Sequence, residues 1–208
     1  MISRRRFLTA AAGAGGLIAL GKNAKAVDIL ASQDETNTAR VVLVKTDNRA
    51  EGIRKALELY NADGLSGKRV VIKPNYNSDH GFPGSTHNTT LATLVEELAE
   101  AGVWTITVAD RSGMSRGNTK AVMEKKGVVK LGKEMGFKTV ALNELAEHEH
   151  THHKLDHWHW QRGFYMPTLF HQADAIVQTC CLKTHQYGGH FSISLKNSIG
   201  MVAKQVGK

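Results

Sequence analysis

The chain has 208 residues, 41% of them hydrophobic and 22% charged, with 20 Gly, 3 Pro, 2 Cys and 6% aromatic residues. That composition excludes collagen-like, disulfide-scaffold and disordered classes. The net charge of +8 overstates any basic surface, because Arg4, Arg5, Arg6, Lys22 and Lys25 all lie before Val27 with no acid among them, and a chain starting at Val27 carries only +3. No nucleic-acid partner is therefore expected.

The run Ser3-Arg4-Arg5-Arg6-Phe7-Leu8 resembles the bacterial twin-arginine export signal. The apolar stretch Thr9 to Leu20 is diluted by three glycines and is too short for a permanent membrane span, and Ala24-Lys25-Ala26 has the small-x-small form of a cleavage site. Residues 1–26 are thus expected to be a signal peptide and residues 27–38 a polar linker, with the folded domain at 39–208. The resemblance implies the twin-arginine translocase as a transient partner and a periplasmic or otherwise extracytoplasmic destination. That route carries folded proteins, often ones loaded with a cofactor.

From residue 39 the chain alternates strand and helix patterns. Ala39 to Val44 is a continuous β-branched run, expected as a strand covered on both faces. Asn48 with Glu51 makes a capping box for a helix whose inner face is Ile53, Ala56, Leu57 and Tyr60, with Gly64 and Gly67 closing the unit. Arg69 to Ile72 is a second strand, stopped by Pro74. After a Gly, Ser and Asn loop to about Thr86, Leu91, Leu94, Val95 and Leu98 mark the core face of the next helix, which ends at Gly102. Val103 to Ala109 is a third strand, ending at Asp110. A Ser/Gly loop precedes a helix capped by Asn118 or Thr119 and split at Gly127.

Thr139 to Leu142 reads as a fourth strand, and Glu147 to Arg162 as a polar insertion with no period. Pro167 suits the first turn of a short helix, Ala175 to Gln178 is a fifth strand, and Ser192 can start a final helix through Leu195, Ile199 and Val202. About five apolar strands separated by helices imply a three-layer α/β/α domain around a mainly parallel sheet.

Ligands of open parallel sheets bind outside the carboxyl ends of the strands. By that rule Lys45, Lys73, Asp110, Lys183 and His185 are delivered to one edge, an arrangement suited to an anion or to acid/base work, with His185 and Asp110 able to move protons. Lys45 is discounted as a solvent-facing strand end. Cys180 and Cys181 are adjacent, so a bond between them would be strained, and two cysteines cannot hold a four-thiolate iron-sulfur cluster.

Three segments, Val70-Val71-Ile72-Lys73-Pro74-Asn75, Leu182-Lys183-Thr184-His185 and Leu195-Lys196-Asn197-Ser198-Ile199-Gly200, resemble the recurring motifs of the domain-of-unknown-function 362 family. Asp110 and Ala173-Asp174 fit the same pattern. The resemblance implies an α/β fold of unsettled activity, in some relatives joined to ferredoxin-like cluster domains, and a ligand site at Lys73, Asn75, Lys183, His185, Lys196 and Asn197. Lys196 and Asn197 are expected in the first turns of the last helix, where amide donors favour an anion. Cys180-Cys181 departs from the apolar and proline residues usual before the second motif. The resemblance also implies a further portion beyond Lys208, so part of the site and one sheet edge are expected to lie there.

A second constellation is His148, His150, His152, His153, His157 and His159, six histidines in twelve residues, which either as a strand or as a helix can offer two imidazoles to Zn, Ni or Cu. Three functions follow as expectations. The first is an exported protein binding an anionic or metal-complexed small ligand; the second is a metal-handling protein that uses the His-rich insert and a divalent metal. The third is an accessory component of a redox complex with a partner protein.

Overall fold

A computed structural model of the chain describes residues 18–21, 24–28, 41–61, 63–113, 118–154, 160–185 and 191–203, and these divide into two compact units, 1–64 and 65–208. In the first unit, strands β1 (Ile18–Gly21), β2 (Ala24–Asp28) and β3 (Val42–Lys45) form an antiparallel sheet in that order. Helix α1 (Arg49–Tyr60) follows: the Asn48 side chain accepts the Glu51 amide at 3.2 Å, and the chain leaves the helix through Asn61 in the left-handed region at φ 60°.

The run at residues 39–44 was expected to be a strand of the parallel sheet, and it is not. Val42–Lys45 pairs antiparallel with Ala24–Asp28, with Val44 opposite Ala26. Its residues alternate between half-buried and exposed, Leu43 being 56% exposed, so only one face of this strand is covered. Continuous β-branched composition failed to distinguish burial on both faces from burial on one.

The second unit is built on four parallel strands, β4 (Arg69–Pro74), β5 (Thr105–Asp110), β6 (Lys138–Ala141) and β9 (Ala175–Thr179), in the order β6-β5-β4-β9. The sheet is flanked by helices in a three-layer α/β/α arrangement, with four strands where about five were expected. Helix α2 (Asn88–Glu100) buries Leu91, Leu94, Val95 and Leu98, the apolar face read from its spacing. Helices α3 (Thr119–Lys125) and α4 (Val128–Met135) are separated at Gly127, whose φ of 74° suits a residue without Cβ. The other face of the sheet carries a cluster of Val71, Ala109, Leu142 and Phe170, the last from helix α5 (Leu169–Gln172). Leu145, Met166 and Met201 pack around it.

Three local expectations are corrected. The polar insertion is not patternless: β7 (His150–His153) pairs antiparallel with β8 (Phe164–Pro167), His153 opposite Phe164. Pro167 closes β8 rather than opening a helix. The last helix is a single turn, α6 (Ser194–Asn197), continued by a 3-10 turn at Ser198–Met201. Lys196 and Asn197 therefore sit at its end, and the anion-binding helix start expected for them does not exist.

Candidate ligand-binding cleft

Strand β4 is the first of the parallel sheet in sequence, yet it lies between β5 and β9. The chain runs outward from β4 through β5 to β6, then returns to the other side of β4 for β9. Connections thus leave β4 in opposite directions and open a crevice beyond the strands' carboxyl ends, where such sheets bind ligands. The structure has a cleft of about 670 Å³ there, and its lining includes Lys73, Asn75, Asp110, Lys183, His185, Lys196 and Asn197, all seven of the non-histidine-cluster residues singled out from sequence.

The floor is an ion pair. Lys73 and Asp110 are each 1% exposed, and Lys73 Nζ lies 2.5 Å from Asp110 Oδ1. The Asp110 carboxylate also accepts the Tyr76 amide at Oδ2 (2.5 Å) and the Arg111 amide at Oδ1 (2.6 Å), while Lys73 Nζ donates to the Pro74 carbonyl (2.9 Å). Burial holds the Asp110 carboxyl above its ordinary range, and Lys73 with the two amides offsets only part of that rise. Asn197 completes the arrangement: its Oδ1 accepts from Lys73 Nζ at 3.3 Å and its Nδ2 donates to the Lys73 carbonyl at 3.0 Å. Asn197 therefore clamps the lysine.

Asn75 organises the loop over the cleft. Its amide donates to Thr86 Oγ1 (2.9 Å), and Thr86 Oγ1 in turn donates to the Thr179 carbonyl (2.5 Å), tying the loop to the end of β9. Gly200 closes over the ion pair, because a Cβ there would stand 2.8 Å from Lys73 Nζ and 2.9 Å from its Cε.

The rim is basic. Lys183 is fixed by an antiparallel bridge to Ser192, whose amide donates to the Lys183 carbonyl at 2.6 Å. Burial and the neighbouring Lys183 lower the Lys196 ammonium; burial, then Lys196 and Lys183, lower the His185 imidazole. Three basic groups thus crowd one side of the cleft, and the charge of Lys183 disfavours protonation of Lys196 and His185.

Sequence reasoning left several lining residues out. Arg111 was only the start of a loop; here its Nη2 donates to the Ile199 carbonyl at 3.1 Å, while its buried Nε has no hydrogen-bond partner, and burial lowers the guanidinium. Its position directly after the strand-end Asp110 was the available signal. Cys180 also lines the cleft, with its thiol pushed up by burial, and both cysteines are thiols. In the loop that follows β4, His80 lines the cleft, whereas His87 caps α2 by accepting the Thr89 amide at 3.1 Å.

The histidines of the insert are dispersed. His148 lies in the 3-10 turn Glu147–Glu149, His150 Nδ1 contacts the Ala146 carbonyl at 2.9 Å, and His152 Nε2 contacts the Arg162 carbonyl at 3.0 Å. His153 Nε2 instead meets His171 Nε2 at 2.8 Å. His157 and His159 lie outside the described residues. Among the described residues no three His, Cys, Asp or Glu side chains come together as a metal site.

The family model of a domain of unknown function, DUF362, matches residues 70–208, which takes in all of the parallel sheet but its first residue, Arg69, and every residue of the cleft. No curated protein and no solved structure matches the chain.

Proposed function

Because the chain belongs to the DUF362 family, a family that carries no assigned reaction, we propose its function from the cleft itself: it binds an anionic small ligand at the carboxyl ends of the parallel strands. One observation carries this reading. Among the described residues lining the cleft, the only acid is Asp110, and Lys73 already neutralises it, which leaves Lys183, Lys196 and Arg111 as excess positive charge. Such crowding is costly when the cleft is empty and is relieved by an anion.

In this reading Lys183 and Lys196 supply charge, and Arg111 offers its unused Nε–H as a directed donor. His185, held toward its neutral form by burial and then by the two lysines, takes a proton from the ligand or returns one. Lys73 and Asp110 hold the floor in place, and Asn75 and Asn197 position the loop and the lysine. Export by the twin-arginine route is part of the proposal and rests on Ser3 to Leu8 and on Ala24-Lys25-Ala26.

The test is calorimetric titration of the protein with inorganic phosphate and with pyrophosphate. A charge-assisted hydrogen bond contributes about 1.5–3 kcal/mol, so Lys183→Ala is expected to weaken binding by about tenfold or more. The wild-type affinity is expected to fall with rising salt. Unchanged affinity in a folded Lys183→Ala protein removes that lysine from the site.

A further inference from the structure

Outside the cleft, His153 of β7 and His171 of α5 bring their Nε2 atoms to 2.8 Å, with ring centroids 4.7 Å apart and planes inclined by 19°. The centroids stand farther apart than the nitrogens by most of two ring radii. The rings are therefore stacked with an offset, nearly parallel, and approach most closely at their Nε2 atoms.

We propose that His153 and His171 form a two-imidazole binding site for a borderline-soft divalent ion of the zinc, nickel or copper class. Both ligands are held by the fold. The β7–β8 ladder fixes His153, whose ring stacks on Phe164 at 5.1 Å, and Trp160 braces Phe164 edge-on at 5.1 Å. His171 rides on the turn that starts α5, its amide donating to the Thr168 carbonyl at 2.9 Å.

Two facing Nε2 atoms at this spacing have room for one proton between them. Doubly protonated rings repel, and a metal ion satisfies both lone pairs at once. Zinc-nitrogen bonds of about 2.0–2.1 Å at a tetrahedral angle require the nitrogens to separate by about half an ångström more. Small rotations of two side chains supply that.

Among the described residues, His152 and His150 are engaged elsewhere. His152 stacks on Tyr165 at 4.5 Å with its Nε2 at the Arg162 carbonyl, and His150 faces the Ala146 carbonyl. Water completes the coordination, so the site is exchangeable.

The experiment is competition for zinc between the metal-stripped full chain and a chromogenic chelator. His153→Ala and His171→Ala are each expected to weaken zinc binding by about tenfold or more, and His152→Ala to leave it within about twofold. His171→Gln keeps a hydrogen-bonding partner for His153 but no imidazole; it is expected to melt like the wild type and to bind zinc as weakly as His171→Ala. Zinc affinity unchanged in both His153→Ala and His171→Gln overturns the site. Should either alanine variant fail to fold, paramagnetic resonance of the copper-loaded wild type decides: coupling to two imidazole nitrogens supports the site, and its absence overturns it.

Discussion

Lys73 and Asp110 are charges taken almost wholly out of water, and such a pair is tolerated only while each member has the other. Lys73→Met leaves the Asp110 carboxylate with its two backbone amides and no cation. It is expected to lower unfolding free energy by about 3–5 kcal/mol in urea titrations. Adding Asp110→Asn to Lys73→Met is expected to recover part of that loss, so the double variant is more stable than the sum of the single changes requires. Simple additivity in the cycle would mean that the two side chains are not coupled.

At this scale the sequence was informative wherever a residue's role follows from its place at a strand end. Lys73 and Asp110 were legible that way. Asn197 was legible as a site residue but not as the clamp on Lys73, because that contact joins positions 124 residues apart. Arg111 had only its place directly after the strand-end Asp110 as a mark, and Cys180 had none: their importance comes from where the loops fold back.

Among the elements, β4 and the segment entering β9 are joined at the end of the sheet remote from the cleft. The Arg69 amide and Nε donate to Asp174 Oδ2 at 2.8 and 3.1 Å, and Arg69 Nη2 donates to Oδ1 at 3.2 Å. The hydrogen bond from the Arg69 side chain, helped by that from its amide, holds the Asp174 carboxyl down at about 2. A carboxyl depressed in the folded state adds stability that is complete above its ordinary value near 4 and disappears as pH falls through about 2. Asp174→Asn is expected to melt below the wild type at neutral pH, with the gap closing in melting curves recorded below pH 2. A gap that persists there would assign the stabilisation to packing.

Helix α2 and the break at Gly127 were readable because periodicity and a left-handed glycine are local properties. Strand β3 was misassigned to the parallel sheet because partner choice is not local. The hairpin β7–β8 was missed for a related reason: His150-Thr151-His152-His153 lacks apolar alternation, and its rings are held by stacking on Tyr165 and Phe164 across the ladder.

On the scale of the whole molecule, the layer architecture could be read from the alternation of elements, but the strand order could not. That order turns a set of strand ends into a cleft. The sheet of the first unit bears on export. Cleavage after Ala26 would remove β1 and divide β2, leaving β3 without most of its partner. Expression with cell fractionation is expected to yield a periplasmic chain beginning at Val27, and replacing Arg4 and Arg5 by Lys is expected to hold the full-length chain in the cytoplasm. An uncleaved wild-type chain in the cytoplasm would remove export from the reading.

The cleft is shared by the tips of β4 and β5 and by the segments that follow β9, so whatever occupies it touches both arms of the sheet across the reversal in strand order. An occupant held from both sides works as a rivet: its affinity exists only while the two halves stay together, and a hundredfold excess over the dissociation constant adds about 2.7 kcal/mol against unfolding. Heat resistance thus becomes a reporter of occupancy, and compounds can be sorted by how far they postpone melting.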